Sequence, residues 1–306
     1  MTKTAFLFAG QGAQKLGMAR DLYETYPIVR ETFDTASRIL GYDLRSLIDN
    51  DVDKLNQTRY TQPAILTTSV AIYRLLSEKG IKPDIVAGLS LGEYSALVAS
   101  GALTFEEAVA LVAKRGEFME TAAPAGTGKM VAVMSTPVEI IEEACEKASD
   151  KGYVRPANYN TPTQIVIGGD VEAVNAAVEN LKEAGVKRLI PLKVSGPFHT
   201  ALLKSASEKL AKELEKVTFS DFTIPLVGNT EAQVMNVEEA KILLARQVME
   251  PVRFYESIES MKKLGMTDVI EIGPGKVLSN FMKKIDKTIP TVNVEDKESF
   301  ELLLKK

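Results

Sequence analysis

Residues 85–99 read Ile-Val-Ala-Gly-Leu-Ser-Leu-Gly-Glu-Tyr-Ser-Ala-Leu-Val-Ala. The stretch opens as a short apolar run ending in glycine, the pattern of a buried strand over Ile85–Gly88, and closes as a helix over Glu93–Ala99. Between them lies Gly88-Leu89-Ser90-Leu91-Gly92, a G-x-S-x-G sequence on a strand-to-helix turn. In that setting a serine is held exposed on a strained backbone. The amide that follows it points at a developing oxyanion, helped by the helix N-terminus. Five residues of this pattern also describe a Gly-rich turn with a capping serine, and the local sequence leaves both readings open.

Working outward, the same strand-then-helix rhythm recurs. Ala5–Ala9, Ile224–Gly228, Val269–Gly273 and Pro290–Val294 read as further buried strands. Helices are predicted over Gln62–Glu78, with Pro63 in the first turn, and over Thr104–Glu120, opened by the capping-box pattern Thr104-x-x-Glu107. Strands separated by helices imply parallel pairing, so the main body is an α/β layer fold. The middle differs. After the linker-like Ala122–Lys129 come a strand at Met130–Met134, a helix at Pro137–Ser149, and strands at Tyr153–Asn158 and Gln164–Gly168. A helix at Val171–Ala184 and a strand at Lys187–Val194 complete it. That βαββαβ order is ferredoxin-like. We expect residues 126–196 to form a small inserted subdomain, residues 1–125 and 197–306 to form the large one, and the cleft between them to hold a substrate.

Composition narrows the chemistry. The chain has 306 residues, 45% hydrophobic and 25% charged, with 37 Lys+Arg against 41 Asp+Glu, a net charge of −4. A protein living on phosphate contacts usually carries a basic excess, so nucleic-acid binding is disfavoured. No apolar run reaches the ~18 residues of a bilayer span, and Ala5–Ala9 is too short for a signal-peptide core, so a cytoplasmic protein is expected. One cysteine and one histidine rule out a disulfide framework and leave almost nothing for a metal site. Cys145, among Glu142, Glu143 and Glu146, reads as inert filling.

If Ser90 is a nucleophile it needs a base, and the only imidazole is His199, in Ser195-Gly196-Pro197-Phe198-His199-Thr200. Arg115 has Leu111, Val112, Phe118 and Met119 as its helical i±3 and i±4 neighbours, all apolar, so it points inward and should meet a carboxylate. That carboxylate is either an internal acid or one on a substrate. Gly10-Gln11-Gly12 follows the first strand but has Lys15 at the third glycine position of a dinucleotide fingerprint. A backbone loop beside the serine turn fits it better, with a plain strand exit as the alternative.

Taken together, the chain resembles the malonyl-CoA:acyl-carrier-protein transacylases of bacterial fatty-acid synthesis. The resemblance rests on FAGQGAQ from residue 8, TQPA at 61–64, GLSLGEYSAL at 88–97, RGEFM at 115–119 and NTPTQIVIGG at 160–169. It continues through SGPFH at 195–199, QVMEPVRF at 247–254 and EIGPGKVL at 271–278. It implies an α/β-hydrolase-like large subdomain with a ferredoxin-like insertion, and a Ser90–His199 dyad without an acidic third member. It further implies that Arg115 binds the malonyl carboxylate and that the backbone amides of Gln11 and Leu91 form the oxyanion hole. Gln247 would supply the backbone carbonyl that orients the histidine, and Gln62, Asn160 and Phe198 would lie near the substrate. Malonyl-CoA and acyl carrier protein are then the partners, with no resident cofactor and a monomeric state. The chain departs from the family in having Leu89 where histidine usually precedes the serine, and Ala9 and Ala13 where proline and serine are common; none of these removes a dyad member or a backbone amide. Lys187, Arg188 and Lys276 are candidates for steering an acidic carrier protein.

Two other readings compete. A serine esterase of ordinary α/β-hydrolase type places its histidine late, yet 107 residues follow His199, and an inward arginine has no use for a neutral ester. A non-catalytic nucleotide- or carrier-binding module explains Gly10–Gly12 but leaves Ser90, His199 and Arg115 unconnected.

Overall fold

The computed structural model describes residues 1–306 and contains two sheets. Four strands pair in parallel in the order β2-β1-β7-β8: β1 (Thr4–Phe8), β2 (Ile85–Gly88), β7 (Asp268–Ile272) and β8 (Thr291–Val294). The other four pair antiparallel in the order β4-β5-β3-β6: β3 (Gly128–Met134), β4 (Val154–Thr161), β5 (Gln164–Asp170) and β6 (Leu189–Pro191). With helices Val138–Lys147 and Val171–Glu183 between its strands, this second sheet has the ferredoxin-like connectivity, the third strand lying between the first and second.

Side-chain alternation explains how each sheet is covered. On β1, Phe6 and Phe8 enter one apolar cluster while Ala5 and Leu7 enter another, so this central strand is buried on both faces, as parallel sheets require. On β3, Val131 and Val133 pack under the subdomain's own helices, whereas Met130 and Ala132 face the large lobe. One face of the antiparallel sheet therefore makes its own core, and the other closes against the main body. Backbone bonds reinforce that closure: Tyr159 N–H donates to the Val252 carbonyl at 2.8 Å and Val252 N–H to that of Ala157 at 2.9 Å.

Several elements differ from their sequence reading. Ile224–Gly228 is not a strand of the sheet. Leu226 makes only an isolated parallel bridge to Val86, because Pro225 has no N–H to extend a ladder and Val227 turns back to bridge Val234. The helix expected from Gln62 starts at Thr58, placing Pro63 inside its second turn. The cost is one intrahelical bond, to the carbonyl of Arg59. The strand expected over Lys187–Val194 is regular only at Leu189–Pro191, at the edge of the sheet, with Pro191 facing outward where its missing N–H costs no ladder bond; Leu192 N–H still donates to the Met130 carbonyl and Met134 N–H to that of Arg188. By contrast, helix Phe105–Ala122 carries the full capping box between Thr104 and Glu107. No helix is long and apolar enough to cross a membrane.

Candidate active site

The turn at the end of β2 is possible only because two glycines flank it. A Cβ on Gly88 would lie 2.0 Å from the Gly92 carbonyl carbon, and one on Gly92 would lie 2.1 Å from the Phe8 carbonyl oxygen. Both obstacles are backbone. Between them Ser90 has φ +52°, the left-handed region that a non-glycine residue occupies at a cost of order 1–3 kcal/mol. Asn229 braces it: the Ser90 N–H donates to Asn229 Oδ1 at 2.7 Å, and Asn229 Nδ2 donates to the Gly88 carbonyl at 2.7 Å. Helix Gly92–Ala99 then runs away from the turn, buried on nearly every side.

His199 is also held at positive φ, +60°, with its backbone N–H donating to the Val248 carbonyl. Its Nδ1 lies 2.6 Å from the Gln247 carbonyl and its Nε2 lies 2.8 Å from Ser90 Oγ. A carbonyl can only accept, so Nδ1 carries the proton and the Nε2 lone pair faces the serine hydroxyl. Burial, followed by the nearby Arg115 charge, pushes the imidazole down to about 4, which leaves it neutral at pH 7 with its Nε2 lone pair free to accept a proton.

Arg115 has no accessible surface, and its guanidinium reaches three neutral oxygens. Nη1 donates to Gln62 Oε1 at 2.8 Å; Nη2 donates to Gln247 Oε1 at 2.8 Å and, more loosely, to Ser90 Oγ at 3.3 Å. Nε has no partner. The inward orientation matches the sequence reading; the internal carboxylate partner does not exist, and two amide oxygens take its place. Burial lowers the guanidinium's pKa from its ordinary value.

The remaining candidates fall around this core. Gln11, Asn160 and Phe198 line a cleft of about 410 Å³ together with Ser90 and His199, walled by Met119, Met130, Val166 and Phe281. The Gln11 amide and the Leu91 amide, the latter directly after Ser90, donate to no protein acceptor. Gln62 lies behind the cleft, its Nε2 facing Gln11 Oε1 and Met119 Sδ at 3.4 Å each. Asn160 Nδ2 donates to Gln164 Oε1 at 2.8 Å, while its Oδ1 is buried without a partner.

The Gln247 side chain does more than the resemblance implies. Besides accepting from Arg115, its Nε2 donates to the Ser90 carbonyl at 3.0 Å and to Glu93 Oε2. Sequence reading missed two residues here. Glu93 is the one charged residue of a buried helix, and Asn229 follows the apolar run Ile224–Gly228; the signal in each case is a polar residue where the pattern predicts burial. Two expectations need correction. For Cys145 it is chiefly burial that pushes the thiol up, to about 12; the neighbouring acids matter less. Lys187 and Arg188 sit at a separate depression beside Ser135–Pro137, whereas Lys193 lines the cleft.

Comparison with known proteins places this frame. The family model described as Acyl transferase domain matches residues 5–303, so the class is that of the acyltransferases. The malonyl CoA-acyl carrier protein transacylase of Bacillus subtilis is 47% identical over 307 residues, covering 99% of this chain and 97% of that relative. The crystal structure of MCAT from Streptococcus pneumoniae superposes with a TM-score of 0.97 at 72% identity, covering 99% of each chain. The malonyl-transacylase solved in complex with its type II PKS acyl-carrier protein gives 0.96 at 43% identity, again over 99% of each chain. The chain belongs to the malonyl CoA-acyl carrier protein transacylase family.

Proposed function

We propose that this chain moves a malonyl group from malonyl-CoA to the phosphopantetheine thiol of an acyl carrier protein, by way of a malonyl ester on Ser90. The observation that carries the reading is the contact of one hydroxyl with both the lone imidazole and a buried guanidinium, at 2.8 Å and 3.3 Å. A base and a fixed cation at the same nucleophile suit an acyl group that bears its own carboxylate.

In the first half-reaction the Ser90 proton passes to His199 Nε2 as Oγ attacks the thioester carbonyl carbon. The amides of Gln11 and Leu91 receive the negative oxygen of the tetrahedral intermediate. That intermediate collapses with cleavage of the carbon–sulfur bond, and the imidazolium returns its proton to the departing coenzyme A sulfur. In the second half-reaction His199 takes the proton of the carrier thiol, the sulfur attacks the ester carbonyl, and Ser90 leaves with the proton. The Gln247 carbonyl stabilises the imidazolium formed in each half, the part an acidic third member plays elsewhere. No resident cofactor or metal enters the scheme. Ping-pong kinetics follow.

Arg115 supplies acyl selectivity. Its Nη2 lies beside Ser90 Oγ, so a carboxylate one methylene beyond the reacting carbonyl falls within reach of the fork, whose planar geometry matches it. Phe198 and Asn160 bound the acyl space, and Gln62 holds the far side of the fork. We place the crossings between the two subdomains near residues 126 and 196, and assign the chain to the cytoplasm as a monomer.

The test is intact-mass analysis. Mixing with malonyl-CoA should add one malonyl group, phosphopantetheinylated carrier protein should remove it, and Ser90→Ala should abolish the adduct. An adduct that persists in Ser90→Ala, or one that the carrier thiol cannot discharge faster than water, overturns the reading.

A further inference from the structure

Glu93 is almost fully buried, one turn beyond the serine, and the scheme above does not use it. Its carboxylate accepts from Gln247 Nε2, and the Asn229 backbone amide donates to it as well. Gln247 is thus gripped at both ends. Its Nε2 is occupied by Glu93 and the Ser90 carbonyl, which leaves Oε1 facing Arg115 Nη2. A flipped amide would set its nitrogen against the guanidinium and its oxygen against a carboxylate, so an acceptor at position 93 forbids the flip. Arg115 lies within 4 Å of no carboxylate, and Glu93, one amide away, is the acid whose charge acts on it.

We propose that Glu93 is a positioning and specificity-determining residue: through the Gln247 side chain it locks the Arg115 fork and the Ser90 carbonyl in place, and its charge weakens the hold of Arg115 on the acyl carboxylate. The inference rests on the malonyl-transfer reading of the site. A second negative charge brought to Arg115 is opposed by the one already beside it, across a distance bridged by a single amide in a water-poor interior, where charges act strongly. The opposition keeps the malonyl group from binding so tightly that the loaded enzyme is trapped, since ground-state binding that is not strengthened in the transition state does not speed transfer.

Burial pushes the Glu93 carboxyl up to about 7. The charged or titratable groups facing it are Arg115 from helix Phe105–Ala122 and its neighbour Tyr94, whose hydroxyl burial holds up at about 12; Gln247 and Asn229 are neutral. His199, across Ser90, is neutral above about pH 4. Between pH 6 and 8, Glu93 is therefore the group in this cluster that changes charge.

The experiment compares the full chain with E93Q and E93A, measuring acylation of Ser90 from malonyl-CoA and from acetyl-CoA at pH 6 and pH 8. E93Q keeps an oxygen for Gln247 and loses the charge. At pH 8 its KM for malonyl-CoA should fall roughly three- to tenfold with acetyl-CoA unchanged, and the pH dependence of that KM, present in the unmodified chain, should vanish. E93A frees Gln247 and should lower kcat with malonyl-CoA on the order of tenfold or more. A folded E93Q whose malonyl-CoA KM matches that of the unmodified chain at both pH values overturns the inference; circular dichroism establishes folding, and E93Q decides the matter if E93A does not fold. An unmodified chain that takes no malonyl group at all would instead overturn the reading of the activity.

Discussion

Replacing Arg115 by alanine should separate malonyl from acetyl transfer, and the structure sets how far. The guanidinium is inaccessible to solvent and contributes at least two good hydrogen bonds, to Gln62 and Gln247. A substrate carboxylate pressed against such a cation makes a desolvated, charge-assisted pair, and truncating one partner of such a pair costs about 2–5 kcal/mol. At about 1.4 kcal/mol per tenfold, kcat/KM for malonyl-CoA should drop roughly thirty- to several-thousand-fold. Acetyl-CoA has no carboxylate, so its acylation rate should change by less than about tenfold, reflecting only the loose contact to Ser90 Oγ. The same substitution leaves two amide oxygens without a donor, at about 1–3 kcal/mol each, so the folded fraction must be fixed first by a denaturant titration. Arg115→Lys keeps the charge but not the fork, and should fall between. The assay is quenched-flow mass analysis of the acyl-enzyme with both donors. Equal loss for malonyl and acetyl in folded protein would refute the role of Arg115 as the carboxylate anchor.

Three further outcomes follow from the site. His199 sits at about 4 when folded against an ordinary 6.5, so its contribution to stability is complete above pH 6.5 and is lost as pH falls to 4; Glu93 sits at about 7 against 4.5, so its contribution is complete below pH 4.5 and is lost as pH rises to 7. The two slopes oppose each other, and relative to the unmodified chain His199→Ala should lose stability, and Glu93→Gln gain it, on going from pH 4.5 to 6.5, each by about 3 kcal/mol at most; parallel pH–stability curves for all three proteins would contradict this. Gly88→Ala must push a Cβ into the Gly92 backbone and should cost more than about 4 kcal/mol, measured by urea unfolding, with near-native stability the contrary result. Asn229→Leu removes the acceptor for the Ser90 amide and the donor to the Gly88 carbonyl, and should cost about 2–4 kcal/mol and slow acylation from both donors alike; a rate change confined to malonyl-CoA would argue against a brace on the serine turn.

What could be read in the sequence and what could not divide along a physical line. Local signals carried the capping box at Thr104, the serine turn and the order of elements in the inserted subdomain, since each depends on residues within one or two turns of chain. The inward face of Arg115 was legible for the same reason: helical spacing alone put apolar neighbours on both sides of it. Its partners were not, because Gln62 and Gln247 lie 53 and 132 positions away, and nothing local says that two neutral amides will stand where a carboxylate was expected. Asn229, 139 positions from Ser90, was missed on the same account. Ile224–Gly228 misled for the opposite reason. Its apolar pattern was sound and its burial real at Leu226 and Val227, but strand formation also needs an N–H that Pro225 lacks.

The cluster at the centre of this protein is costly by every measure that applies to a folded chain. It buries a guanidinium without a carboxylate, a carboxylate without a cation in contact, and an imidazole far from its ordinary pKa, and it holds Ser90 and His199 at positive φ. An apolar core of the same volume would be more stable. The hydrogen bonds converge on one residue, Gln247, whose backbone carbonyl sets the histidine tautomer while its side-chain amide sets the arginine fork. Imidazole and guanidinium are thereby fixed relative to the same hydroxyl by a single residue, and under the proposed malonyl transfer a displaced Gln247 backbone would disturb acyl selectivity and proton transfer together. That coupling gives a reason for glutamine here: asparagine would shorten the reach to Arg115, and glutamate would present Glu93 with a second carboxylate.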